Sequence, residues 1–174
     1  HKEYRRQRQM CIRDRPSIYV GTYEKYNNGS IAGAWVDVEK FNDHEAFIDY
    51  CLELHKDEDD PELMFQDIDE IPSLYYSESG IDPRLWDWLS LDDDDKELLE
   101  AYREGINEEG DIEDARDAYQ GKFDNDIDFI MDLLESCGDI PKDLPSYLVI
   151  DWEATTKNLM YDFVESNGYY FRNC

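Results

Sequence analysis

The spacing of apolar positions changes along the chain, and each change marks an element. Residues 17–23 read S I Y V G T Y, the two-residue period of a strand. Asn28-Gly29 is a turn signal and the alternation resumes over 31–38, so 17–38 is expected to form a β-hairpin with a long loop. The period then lengthens. Phe47, Cys51 and Leu54 fall at i, i+4 and i+7 and predict a helix over 43–54, with Asn42 as N-cap and Glu45 at its third position. The run K D E D D P at 56–61 ends that helix, and 63–68 reads as a third strand. Asp82-Pro83 opens a short helix that buries Leu85, Trp86 and Leu89. The next helix spans 92–104 with Leu98, Leu99 and Tyr102 on its apolar face, and Asp111 with Asp114 starts a short helix or turn. Residues 119–123 read as a short strand. A helix over 125–136, capped by Asp124, directs Ile127, Ile130, Met131 and Leu134 inward. Asp151 caps a helix over 152–160. Strands over 161–165 and 169–172, joined by Asn167-Gly168, form a closing hairpin. The pattern predicts an α+β chain: an elongated row of three small units, 17–72, a helical middle at 73–117, and 118–174.

The polar faces of these helices are acidic rather than mixed. Asp93, Glu97, Glu100 and Glu104 sit at i, i+4, i+7 and i+11 and share one face. At 1.5 Å per residue that row is about 16.5 Å long. Like charges at i,i+4 destabilise a helix by roughly 0.2–0.5 kcal/mol per pair, and a helix that needed only solubility would alternate Glu with Lys. The same arrangement recurs as Glu45, Asp49 and Glu53, and again as Asp124, Asp128, Asp132 and Glu135. Asp57, Glu58, Asp59 and Asp60 extend it between elements, as do Glu108 and Glu109. Fourteen of the 31 residues from 87 to 117 are acidic, opposed only by Lys96, Arg103 and Arg116.

The whole chain has 174 residues and a net charge of −27. Residues 1–15 carry six basic and two acidic groups, whereas 16–174 hold 42 acidic against 11 basic ones. The leader 1–16 thus does not match the rest; it has no apolar h-region of a signal peptide and is expected to be foreign, with the native chain starting near Ser17. Four Trp, thirteen Tyr and seven Phe supply a core, so the charge does not imply disorder. The longest apolar run, 147–150, is far too short to span a membrane. Cys11, Cys51, Cys137 and Cys174 form no C-x-x-C pair and read as reduced thiols of a cytoplasmic protein, with Cys51 and Cys137 packed.

Candidate chemistry is sparse. His1, His44 and His55 belong to no triad motif, and His44 and His55 read as surface residues flanking a helix. The loop 21–33 lacks the G-K-[ST] of a phosphate cradle. Zinc lacks its Cys/His spacing. Asp124-x-Asp126-x-Asp128 opens like a calcium loop, but Phe129 stands where the sharp-turn glycine belongs and no Glu closes it. No catalytic residue, metal or cofactor is expected.

Such a surface repels nucleic acid and anionic membrane and attracts basic clefts. DNA carries one charge per ~1.7 Å of duplex, so 42 carboxylates at that density would cover about 71 Å, or ~21 base pairs. Three readings compete: a DNA mimic in the cleft of a DNA-binding enzyme, an acidic metal-dependent hydrolase, and a halophile-type surface without a specific partner.

The residues also resemble a family. I Y V G T Y E K Y N N G S I A G A W V D (18–37), C L E L H K D E D D P E L M F Q D I D E I P (51–72), S E S G I D (77–82), and I P K D L P S Y L V I D W E A T T K N L (140–159) with G Y Y F R N (168–173) are similar to the ArdA antirestriction proteins over about 17–173. The resemblance implies a non-enzymatic protein of mobile genetic elements. It implies three small α/β units, mimicry of bent DNA, inhibition of type I restriction-modification enzymes at the DNA groove of their methyltransferase core, and a homodimer joined through the C-terminal unit. Residues 136–174 hold six carboxylates and are rich in apolar groups. The expected dimer contact is therefore Tyr147, Leu148, Val149, Ile150 and Trp152, in a stretch that also contains Tyr169, Tyr170 and Phe171.

Overall fold

A computed structural model describes residues 15–173. Apart from Arg15 and Pro16, the leader lies outside the described residues, as do Cys11 and Cys174. The fold is α+β, as the apolar pattern predicts, and divides into two compact units that meet in sequence at Ser90 and Leu91.

The first unit is built on β1 (Ser17–Thr22), the central strand of an antiparallel sheet of order β2-β1-β3, with β2 at Ala34–Asp37 and β3 at Leu63–Asp69. All six residues of β1 are buried, because strands flank both of its edges. Tyr19 pairs with Asp67 but Val20 pairs with Phe65, so Gln66 is the extra residue of a bulge. The hairpin loop contains a helical turn, α1 (Tyr23–Asn27), whose Lys25 N–H donates to the Thr22 hydroxyl. Five residues are too few for an apolar period to reveal it. Gly33 is required here: a Cβ at that position would lie 2.5 Å from the Val20 carbonyl oxygen.

Helix α2 (His44–Leu54) places Phe47 and Cys51 in the core, with Leu54 at its border. Its cap is Asp43 rather than the expected Asn42; the Asp43 carboxylate accepts the Ala46 N–H at 2.8 Å, while Asn42 is one residue too early to reach it. Phe47 stacks on Phe65 and meets Trp86 at 5.5 Å between centroids. After a two-stranded ribbon, β4 (Tyr76–Ser77) with β5 (Gly80–Ile81), helix α3 (Arg84–Leu89) brings Leu85 and Trp86 into the same core. Burial pushes the Cys51 thiol up to about 12.

His55 departs from its expected surface position. It caps the end of α2 and is 2% exposed. Lys25 Nζ lies 2.8 Å from His55 Nδ1, and His55 Nε2 lies 3.2 Å from the Val20 carbonyl oxygen. An ammonium only donates, so Nδ1 accepts and Nε2–H donates to Val20. Lys25 also donates to Asp57 at 3.0 Å, holding that carboxyl below the usual carboxylate range. Glu58 turns inward beside it: its side chain is 7% exposed, Thr22 donates to its Oε1, and its Oε2 is buried without a hydrogen-bond partner.

Lys25 therefore carries the charge balance of this corner. Lys25→Met is expected to lower unfolding stability by about 2–3 kcal/mol, since it strands a buried carboxylate and an imidazole acceptor. Adding Glu58→Gln should restore part of the loss. The Asp57 contribution is present above its unfolded value near pH 4 and disappears as pH falls through the depressed folded value. Urea unfolding at pH 7 and pH 3.5 measures both; a Lys25→Met midpoint equal to wild type at pH 7 would contradict the account.

The second unit centres on the antiparallel sheet β6-β8-β7, with β6 at Tyr119–Lys122, β7 at Phe163–Ser166 and β8 at Tyr169–Arg172. The middle strand β8 alternates its side chains between two layers. Tyr170 stacks on Phe129 of α6 (Asp126–Cys137) at 4.5 Å, in a cluster completed by Ile130, Phe163 and Leu159 at the end of α7 (Trp152–Leu159). Phe171 meets Tyr102 of α4 (Asp93–Gly105) edge-on at 5.5 Å on the opposite face. A short helix α5 (Ile112–Ala118) joins α4 to β6 and starts with a capping box between Asp111 and Asp114.

Four expectations need correction in this unit. The cap of α6 is Asn125, not Asp124, and its buried residues are Phe129 and Ile130, while Met131 is exposed. Both apolar stripes exist on that helix; the Phe129–Tyr170 stack selects the one centred on Phe129. Cys137 is exposed at the last turn, just before Gly138 ends the helix in the left-handed conformation. Strand β7 starts at Phe163 because a 3-10 turn, Met160–Asp162, intervenes. The Asn167-Gly168 turn has φ of 52° and 83°, the geometry this dipeptide favours in a two-residue hairpin. No helix among the described residues is long and apolar enough to cross a membrane.

Candidate functional site

The acidic rows are set by the packing just described. On α4 the buried face carries Leu98, Leu99, Ala101 and Tyr102, which turns Asp93, Glu97, Glu100 and Glu104 outward, and all four are exposed. Asp92 caps this helix by accepting from the Asp95 N–H, and three aspartates in the first turn favour the positive end of the helix dipole. Glu108 and Glu109 are exposed in the following turn. On α2, burial of Phe47 and Cys51 leaves Glu45, Asp49 and Glu53 exposed. Around α6, Asp124, Asp128, Asp132 and Glu135 are exposed. Of the acidic run after α2, Asp57, Asp59 and Asp60 are exposed and Glu58 is the inward-facing member.

The carboxylates differ in how they are held. Arg116 bridges Asp95 at 2.6 Å and Glu113 at 3.1 Å, and these partners raise its own already high pKa further, Asp95 most. Lys56 pairs with Glu53, and the Arg84 fork holds the Asp82 carboxyl below the usual range. These pairs lower the local charge. Two members of the α4 row are held differently: Glu97 accepts from the Tyr169 hydroxyl at 3.1 Å, and Glu104 accepts from the Asn167 side-chain amide at 2.8 Å. Neither donor is charged, so the carboxylates are oriented and keep their charge. Burial, followed by the Glu97 contact, raises the Tyr169 phenol above its usual value. In the same way Tyr170 donates to Asp126 at 2.7 Å, and its phenol is raised by burial first and then by that hydrogen bond.

The sequence singled out the α4 row but not its anchors. Asn167 registers in the sequence as a turn residue and Tyr169 as a strand aromatic; their contacts, 63 and 72 residues away in sequence, depend on the tertiary packing of the hairpin against α4. The D-x-D-x-D run near 126 is the beginning of α6 rather than a loop, which explains why a helix-capping Asn125 sits inside it. Among the described residues no group of three or more His, Cys, Asp or Glu is placed to hold a metal ion.

The residues expected at a dimer contact split by environment. Tyr147 is 82% exposed, Leu148 52% and Val149 90%, in a segment exposed from 141 to 149, whereas Ile150 and Trp152 are half-buried. Tyr170 and Phe171, from the same apolar-rich stretch, are buried in the core of the second unit, with Tyr169 half-buried beside them.

Comparison with curated proteins gives no match. Comparison with family models gives one that spans residues 18–171, described as antirestriction protein (ArdA). That match covers most of the chain, both the unit that carries α2 and the unit that carries the α4 and α6 rows. The chain belongs to the ArdA family of antirestriction proteins.

Proposed function

We propose that this antirestriction protein works as a DNA mimic. Its carboxylates occupy the DNA groove in the methyltransferase core of a type I restriction-modification enzyme, and the protein performs no chemistry of its own. The observation that supports this reading best is the α4 row: four exposed carboxylates on one face, two of them oriented by uncharged donors. A surface selected only for solubility has no use for a row of like charges that strains the helix bearing it. A groove lined with Arg and Lys that neutralise phosphates does.

The rows on α2 and α6 repeat the same pattern of exposed carboxylates. At duplex density the 42 carboxylates of residues 16–174 correspond to about 71 Å of DNA, and a homodimer to about twice that. The dimer contact in this proposal is Tyr147, Leu148 and Val149, with Ile150 and Trp152 beside them. The test is mutual exclusion: protein and duplex should not occupy the methyltransferase together. A halophile-type surface or a metal-dependent hydrolase would not displace DNA in this way.

A further inference from the structure

We propose that Tyr169 and Asn167 are positioning residues of the inhibitory surface, which fix the Glu97 and Glu104 carboxylates where the partner's cations meet them. The inference rests on the DNA-mimic reading and adds to it a device outside the acidic rows. Glu97 and Glu104 are seven residues apart, so they lie two turns and about 10.5 Å apart along α4. A free glutamate on a helix surface samples several rotamers, and ordering it on binding has an entropic cost. Here both carboxylates are already engaged in the unbound protein, by donors from one hairpin.

That hairpin is itself fixed. The Tyr169 ring packs beside Tyr119 and Phe171, and Lys122 Nζ lies 4.9 Å from its centroid. Asn167 is locked in the turn with φ of 52°. At the C-terminal end of α4 the helix and hairpin are in close contact, since a Cβ on Gly105 would stand 2.9 Å from the Ser166 Cβ. The donors are thus held beside the row. Lysine in either place would anchor the glutamate equally well and erase the charge that the surface presents; Tyr and Asn anchor it and leave the charge intact.

The experiment measures equilibrium affinity for a purified type I methyltransferase with wild type, Tyr169→Phe and Asn167→Gly. Phe keeps the ring contacts and Gly keeps the positive φ, so each change removes the donor while the hairpin backbone stays accessible. Each should weaken binding about two- to fourfold, less than loss of the carboxylate itself, since only the ordering of one side chain is added to binding. The decisive readout is a pair of cycles. In a Glu97→Gln background Tyr169→Phe should have no further effect on affinity, and the same holds for Asn167→Gly in a Glu104→Gln background. A merely structural role would weaken binding equally in both backgrounds and would overturn the proposal, as would wild-type affinity in both single variants. If wild type itself does not bind, the DNA-mimic reading fails and takes this proposal with it.

Discussion

Replacing Asp93, Glu97, Glu100 and Glu104 together by Asn and Gln is expected to weaken inhibition of a type I methyltransferase by about two orders of magnitude, while each single replacement changes it by no more than about fivefold. The four residues are exposed on one face of α4, so each meets its partner as a screened surface charge, worth on the order of 1 kcal/mol or less. Their sum is large because the face is a row. The fold should survive the change. Leu98, Leu99 and Tyr102 remain in the core, and the amide oxygen of Gln can still accept from Tyr169 and Asn167. Removal of like charges at i,i+4 relieves roughly 0.2–0.5 kcal/mol per pair. Inhibition assays paired with urea unfolding check both halves. A single replacement that abolished inhibition in a folded protein would point to a hot spot and contradict a diffuse surface.

Val149→Asp combined with Tyr147→Ser is expected to convert a dimer to a monomer and to reduce inhibition by more than any single acidic replacement. Tyr147, Leu148 and Val149 stand next to one another in sequence and expose apolar surface in a segment that contributes little to the core. Contiguous exposed apolar residues mark contact surfaces. The charge argument selects the same place: two chains of net −27 repel each other except where acidic groups are sparse, and residues 136–174 hold only six of the 44 carboxylates. An aspartate introduced at the centre of that contact would be buried without a partner. Because these side chains lie outside the core, the variant should keep its circular dichroism spectrum and unfolding midpoint. Sedimentation at low micromolar concentration should show a dimer for wild type and a monomer for the variant. A wild-type monomer throughout the physiological salt range would remove the dimer and leave a mimic of about half the length.

The legible part of this protein was the part written in local pattern. The apolar period located β1, α2, α4 and the closing hairpin, and the N-cap preference located the starts of helices to within a residue. Caps slipped by one where two eligible residues adjoin, as Asn42 with Asp43 and Asp124 with Asn125, because either can cap and only the helix trajectory decides. The inner face of α6 was ambiguous for a similar reason: the sequence offers two overlapping stripes, and the choice is made by Tyr170 on a strand 41 residues further along. His55 reads in the sequence as a surface residue because histidine near a helix end usually is one; its burial depends on Lys25, Glu58 and the Val20 carbonyl, which are brought together by the sheet. The acidic rows were visible at once, since i,i+4 spacing is local. The donors that orient Glu97 and Glu104 were not, since nothing in the sequence near 167–169 specifies what that hairpin packs against.

The central claim is that the protein takes the place of DNA, and equilibrium competition tests it most directly. A labelled duplex of about 40 base pairs, the length that two chains imitate at duplex charge density, is bound to a purified type I methyltransferase and titrated with this protein at low and at physiological salt. The account predicts complete displacement at low salt, with an affinity for the methyltransferase that falls steeply as salt rises, because its charge pairs with the enzyme's cations are screened. A ternary complex, with the protein bound and the duplex retained, would contradict it.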